Sequence, residues 1–173
     1  MKIRIPFAAL ALAALALAAP ASAQERPKLG LGVAFFPVTP GFGATVEVYA
    51  PFQVGPNFRL EPSLGIYTNN DGVDTRDITL GVGAFLQKRV APAVDMYAGG
   101  RLKLNLAKAS VPGASESGTD VLIAAAAGGE YFLAPKFSLG LEGNLGMYQN
   151  NTISGDDSGF FTTGLAFLRV YFK

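Results

Sequence analysis

Cysteine, histidine and tryptophan are all missing from the 173 residues. Without cysteine there is no disulfide, no thiol nucleophile and no thiolate metal ligand. Without histidine the commonest general base and the commonest metal ligand are gone as well. Charged residues make up only 16% of the chain, where a soluble domain carries about 25%. Formal charge is nearly balanced, at +1, so there is no basic face of the kind that nucleic acid requires. Long apolar runs are scarce too. After Ala23 each apolar stretch is soon broken by Gly, Pro or a charge, and none approaches the about 20 residues of a membrane-spanning helix.

The one sustained apolar run is at the start. Lys2 and Arg4 precede an uninterrupted stretch from Phe7 to Ala19, then Pro20 and the small residues Ala21-Ser22-Ala23. A basic n-region, an apolar h-region and a small-residue cleavage site in that order predict a secretory signal peptide over residues 1–23. The alternative, an uncleaved anchor, needs a longer run than this one. The mature chain is then a single domain, residues 24–173, with no linker and no second domain. Without Lys2 and Arg4 its formal charge is −1.

What the mature chain has in quantity is glycine, 21 residues in all, and apolar residues repeating with period two. Eight alternating runs are legible: Lys28–Phe36, Phe42–Phe52, Phe58–Thr68, Thr75–Lys88, Val94–Ala107, Thr119–Leu133, Phe137–Tyr148 and Gly159–Phe172. Most exceed the about 5–6 residues of an ordinary strand and reach the about 9–11 of a tilted transmembrane strand. The connections alternate in kind. Val54–Asn57, Arg89–Ala93 and Ala134–Lys136 are tight and built around proline. Asn69–Asp74, Lys108–Gly118 and Gln149–Ser158 are polar, mostly longer, and Pro37–Gly41 is the short member of that second set. After Pro56, Pro92 and Pro135 an apolar residue follows at two places and again at four, a weak two-strand repeat.

Sorting each run by parity separates two faces. Leu60, Leu64 and Ile66 oppose Arg59, Glu61 and Ser63; Met96, Leu102 and Leu104 oppose Asp95, Arg101 and Lys103; Leu139 and Leu141 oppose Glu142 and Asn144. One face is almost purely apolar, and the other mixes charge with glycine and small polar residues. A soluble barrel would crowd its charged face with Lys and Glu. A membrane barrel turns the apolar face to lipid and the polar face to the lumen, where small residues leave room for long ones. The fold expected is therefore all-β, an eight-stranded antiparallel up-and-down transmembrane β-barrel, closed because hydrocarbon tolerates no open sheet edge. Its lumen should hold the acids Glu47, Glu61, Asp77, Asp95, Glu130 and Glu142 and the bases Arg59, Arg101, Lys103 and Arg169. These nearly balance and should pair into a plug rather than line a wide channel. Two aromatic girdles are expected. Phe35, Phe36, Phe42, Tyr67, Tyr148, Phe160 and Phe161 would form the outer one. Tyr49, Phe52, Phe58, Phe85, Tyr131, Phe137, Tyr171 and Phe172 would form the other.

On these features the chain resembles the small outer-membrane β-barrel proteins, a group that includes the opacity proteins and the transmembrane domain of outer-membrane protein A. The resemblance covers the whole mature chain and is architectural, with no catalytic motif beneath it. It implies a monomer in the bacterial outer membrane, in contact with outer-membrane lipid and lipopolysaccharide. Leu168, Val170 and Phe172 look like the family's C-terminal assembly signal, which implies recognition by the barrel-assembly machinery. The family usually ends on the aromatic itself, whereas here Lys173 follows.

Lipid-modifying barrels and outer-membrane proteases of the His/Asp type work through a histidine that this chain lacks. A carboxylate pair such as Glu47 with Glu61 could act alone, but paired lumen charge explains those residues more simply. Asp71, Asp74, Glu116, Asp120, Asp156 and Asp157 match no complete calcium loop and read as solvated loop acids. Gly81-Val82-Gly83 lies mid-strand and is no phosphate cradle. Ala124–Gly129 reads as a flat wall facing long side chains. No cofactor and no enzyme activity are expected. The functions that remain are a structural or surface-interaction scaffold with a plugged lumen, a narrow pore or small-solute transporter, and a soluble lipocalin-like binder. The last would require the two faces to be exchanged.

Overall fold

The computed structural model describes residues 28–35, 46–70, 73–151, 153 and 157–172. The expected signal peptide, residues 1–23, and the connection Pro37–Gly41 lie outside them, as do Phe36, Phe42 and Lys173. We number the strands β1 Leu29–Phe35, β2 Val46–Tyr49 continuing as Phe52–Gln53, β3 Phe58–Asn69, β4 Asp74–Ala91, β5 Val94–Val111, β6 Ala114–Ala134, β7 Phe137–Gln149 and β8 Ser158–Phe172. β2 is one strand because its two segments keep one register: Gly32 faces Tyr49 and Leu29 faces Phe52. Pro51 has no N–H to give the ladder, yet its carbonyl accepts from Gly30 N at 2.9 Å, and Ala50 N donates to Pro62 O at 2.9 Å.

Each strand pairs antiparallel with its sequence neighbour, and β1 pairs with β8, so the sheet closes. The register fixes the tilt. Gly32 leads through Tyr49, Ser63, Gly81, Lys103, Leu122 and Tyr148 to Gly159, whereas Gly32's direct partner in β8 is Arg169, ten residues on. A stagger of that size over eight strands puts their inclination in the range of about 35–45°.

The faces fall as the parity predicts. Leu104 and Leu139 are 38% and 40% exposed, while Glu61, Lys103 and Glu142 are 0%, 5% and 3% exposed. Along the outside of β4, Ile78, Leu80, Val82, Ala84 and Leu86 run between Arg76 and Lys88. At about 3.3 Å per residue and such a tilt, those two bases bracket about 30 Å of barrel height. That accommodates the about 25 Å apolar band of an outer-membrane barrel.

Three connections differ from expectation. Lys108–Gly118 is no loop: β5 and β6 stay paired to Val111 and Ala114, with Pro112-Gly113 as the turn. Gly113 has φ +89°, the left-handed conformation that a type II turn needs after proline. The result is a hairpin whose strands run 18 and 21 residues, beyond what a bilayer requires. At the opposite end, Arg89–Ala93 and Ala134–Lys136 shrink to turns at Pro92-Ala93 and Pro135-Lys136. A register shift just before each turn lies between Arg89 and Ala91 and between Phe132 and Ala134. β4 therefore includes Arg89, which the sequence reading places in a turn.

Candidate functional site

The lumen is where the charge lies. Strands contribute by parity: β3 sends in Arg59 and Glu61, β5 Arg101, β6 Glu130, β7 Glu142 and β8 Arg169. These six form one ion-pair cluster at mid-barrel. Glu61 lies at its centre: Arg101 Nη2 donates to its Oε1 and Arg169 Nη2 to its Oε2, both at 2.6 Å, and Arg59 Nε lies 3.3 Å from Oε2. Glu142 receives Arg101 in a two-pronged contact, Nε to Oε1 at 2.6 Å and Nη2 to Oε2 at 2.8 Å. Glu130 Oε2 bridges Arg59 Nη1 and Arg169 Nη1, each at 2.9 Å. Three guanidinium groups meet three carboxylates, so the cluster is neutral. All six residues are nearly inaccessible to solvent.

Aromatic rings fill the space between the ion pairs. Tyr97 Oη donates to Glu142 Oε2 at 3.0 Å and Tyr171 Oη to Glu130 Oε1 at 2.6 Å. Arg59 sits over Tyr97 at 4.5 Å, Arg101 over Tyr49 at 4.8 Å, and Arg169 over Phe167 at 3.8 Å from the ring centroids. These are cation–π distances. Close packing needs backbone without side chains opposite. A Cβ on Gly32 would come within 2.7 Å of Arg169 Cγ, and one on Gly128 within 2.5 Å of Tyr97 Oη. Ala124 and Ala126 are buried on the same side of β6 as Gly128. The small-residue stretch Ala124–Gly129 is the wall that lets these long chains lie flat.

Smaller groups flank the cluster. Toward the turn end, Asp95 pairs with Arg89, and Gln87 meets Gln53 and Arg59. A cavity of about 10 Å³ lies among Arg59, Gln87, Asp95 and Tyr171, room for about one water. Toward the loop end, Lys103 pairs with Glu47. Beyond it Thr79 donates to Asn105 at 3.1 Å, and Asn105 donates to Asp120 at 2.9 Å.

Several expected positions change. Asp77 is inward but half-buried, beside Asn105, and lies outside the six-residue cluster. Asp120 is no solvated loop acid, being fully buried and bonded to Asn105 and Asn151. Glu47 and Glu61 do not form a carboxylate couple: Lys103 takes the first and the three arginines the second. Tyr49, Phe85 and Tyr171, placed by sequence in the turn-end girdle, and Phe161, placed in the outer one, are buried inside. Phe52, Phe58, Tyr131 and Phe172 remain exposed at the turn end, and Phe35 and Phe160 toward the other. Parity was the signal that separates the two sets. Leu168, Val170 and Phe172 are exposed on the outside of β8.

Residues 7–167 match the family described as outer membrane protein beta-barrel domain. The chain belongs to that family. It is a protein of the bacterial outer membrane, crossing it with eight strands. Among solved structures it resembles Neisserial surface protein A at TM-score 0.59 and 17% identity, over 83% of this chain and 96% of that one. It also resembles Ail, the attachment invasion locus protein of Yersinia pestis, at TM-score 0.55 and 14% identity, over 85% and 99%. A second Ail structure, in complex with the heparin analogue sucrose octasulfate, aligns at TM-score 0.54. No curated protein matches the sequence. At these identities the likeness is one of fold. The placement in the outer membrane sets aside the soluble lipocalin-like reading.

Proposed function

We propose that this outer-membrane protein is a surface-interaction scaffold with a plugged lumen, exported by a cleaved signal peptide and monomeric. The plug is the observation that carries the reading. Arms from β3, β5, β6, β7 and β8 meet in one neutral ion-pair cluster. Opening a path there means parting several buried ion pairs, and breaking one such pair costs about 3–5 kcal/mol. The reading includes no catalytic step. The long β5–β6 hairpin supports presentation at the loop end, the side that faces outward in such barrels. Neisserial surface protein A and the attachment invasion locus protein Ail, which share the fold, are by name a surface protein and an attachment protein, in keeping with such a role.

Planar bilayers test the plug. The refolded protein should give no stable conductance step, while Glu61→Ala combined with Arg101→Ala should open one. A steady conductance from the unaltered protein overturns the plug and favours the narrow-pore reading. That alternative has one point in its support: among the described residues Arg59 Nη2 and Arg169 Nε are buried with no hydrogen-bond partner, as water-bonded groups would be. Adhesion of cells displaying the protein to a cultured epithelial layer tests the surface role. Equal adhesion with and without the protein removes it.

A further inference from the structure

The turn end of the barrel carries bases that neither the plug nor the apolar band uses. Lys28 directly precedes β1, and its carbonyl accepts from Gln53 N at 2.8 Å. Lys136 lies in the turn between β6 and β7, and its carbonyl accepts from Tyr171 N at 2.8 Å. Both lysines are exposed. Among the described residues neither makes an ion pair with a carboxylate. Gln53 and Tyr171 line the cavity of about 10 Å³ at this end, with Arg59, Gln87, Asp95 and Phe132, and it is open on one side. Arg59 is 2% exposed, and its Nη2 has no hydrogen-bond partner among the described residues. Phe132 and Tyr171 stack beside it, their ring centroids 5.7 Å apart. Asp95 is the one acid at this end outside the plug among the described residues, and Arg89 binds it through two nitrogens. The mouth is therefore net positive, with an unspent N–H among the groups that line it.

We infer that this turn-end mouth binds the cell wall beneath the outer membrane, through free carboxylates on the wall's peptide stems. Short turns face the periplasm in such barrels, so the mouth opens toward the wall. A guanidinium N–H and two ammonium groups suit a carboxylate's charge and its acceptor oxygens. Space for about one water admits one carboxylate oxygen and keeps the rest of the ligand outside, beside the lysines. A small free carboxylate would be held by little more than that oxygen. A polymer keeps further carboxylates within reach of the lysines, so the second contact forms at a high effective concentration. Lys88 takes no part, because it stands on the outward face of β4. The inference concerns the periplasmic end and rests on neither the conductance of the plug nor the surface role, so either can fail without the other.

The test uses the full refolded barrel in a non-ionic detergent, with heat-modifiability on a gel as the criterion of folding. Purified peptidoglycan sacculi are the probe, and co-sedimentation reads the bound fraction. The parent should sediment with native sacculi and stay in solution with sacculi whose carboxylates have been amidated. Lys28→Gln with Lys136→Gln should weaken binding about tenfold. Lys88→Gln with Lys108→Gln removes as much charge from the lipid-facing side and should leave binding unchanged. Gln53→Glu puts a carboxylate in the mouth, keeps both lysines and should abolish binding. Equal sedimentation with amidated sacculi, equal losses in the two lysine pairs, or full binding by Gln53→Glu overturns the site. Displacement by acetate at the sacculi's own carboxylate concentration overturns the choice of the wall and makes the mouth a site for small free carboxylates.

Discussion

Glu61 holds three arginines at once, where Glu130 holds two and Glu142 one. Its two oxygens meet Arg101, Arg169 and Arg59 where almost no water can compensate a lost charge. Glu61→Gln keeps the shape and removes the charge, leaving an excess of buried positive charge. We expect it to lower stability by about 3–5 kcal/mol, read as a shifted urea midpoint of the folded barrel in lipid. A change below about 1 kcal/mol would mean that the cluster is hydrated and carries little of the fold's stability. Parity alone marked Glu61, Arg101 and Glu142 as inward residues. It could not say which meets which. Glu61 and Arg169 are 108 positions apart in sequence, and they meet only because the closed sheet sets the stagger of every strand. Tyr97 falls on the charged face by the same parity as Asp95 and Arg101, but parity could not say that Arg59 would lie over its ring. Strand propensity does not separate the faces for an aromatic; parity does, as it places Phe167 on the side of Arg169.

The β5–β6 hairpin shows why an element can be misread from composition. Ser110, Ser115, Glu116, Ser117 and Gly118 are loop-like residues, and no apolar alternation marks them as strand. Outside the membrane, however, a ladder needs none. Its outward side chains meet water, and the two strands satisfy each other's backbone up to Val111 and Ala114. The turn signal, Pro112-Gly113, lay in the middle of the apparent loop. Gly113 is the weak point, because a β-branched side chain at φ +89° is strained. Gly113→Val should loosen the tip and leave the barrel intact. Limited proteolysis of reconstituted protein should cut between residues 108 and 118 in the variant and much more slowly in the parent. Heat-modifiability should be the same in both. A parent cut there at the same rate would show that the hairpin is not a rigid projection.

For the molecule as a whole, the decisive quantity is depth. Eight strands with a ten-residue stagger fix both the lumen's width and the height of the apolar exterior, so one geometry accounts for the packed interior and the membrane fit together. The eight runs of period two made that architecture legible, since alternation sorts lipid from lumen without knowledge of any contact. The bilayer's position along the strands was not legible in the alternation. It is set by where the outward face stops being apolar, at Arg76 and Lys108 on one side and Lys88 on the other. Midway between Arg76 and Lys88 is Val82, whose cross-strand partner is Leu102. Leu106 lies one outward residue short of Lys108. Both leucines are exposed, 40% and 44%, so a soluble barrel would tolerate Arg at either position about equally. In a bilayer the cost depends on depth: about 2–4 kcal/mol at the midplane and about 0–1 kcal/mol near the interface. Leu102→Arg should therefore lower the urea midpoint in lipid vesicles strongly and Leu106→Arg barely. Equal effects would displace the band from where the charges put it.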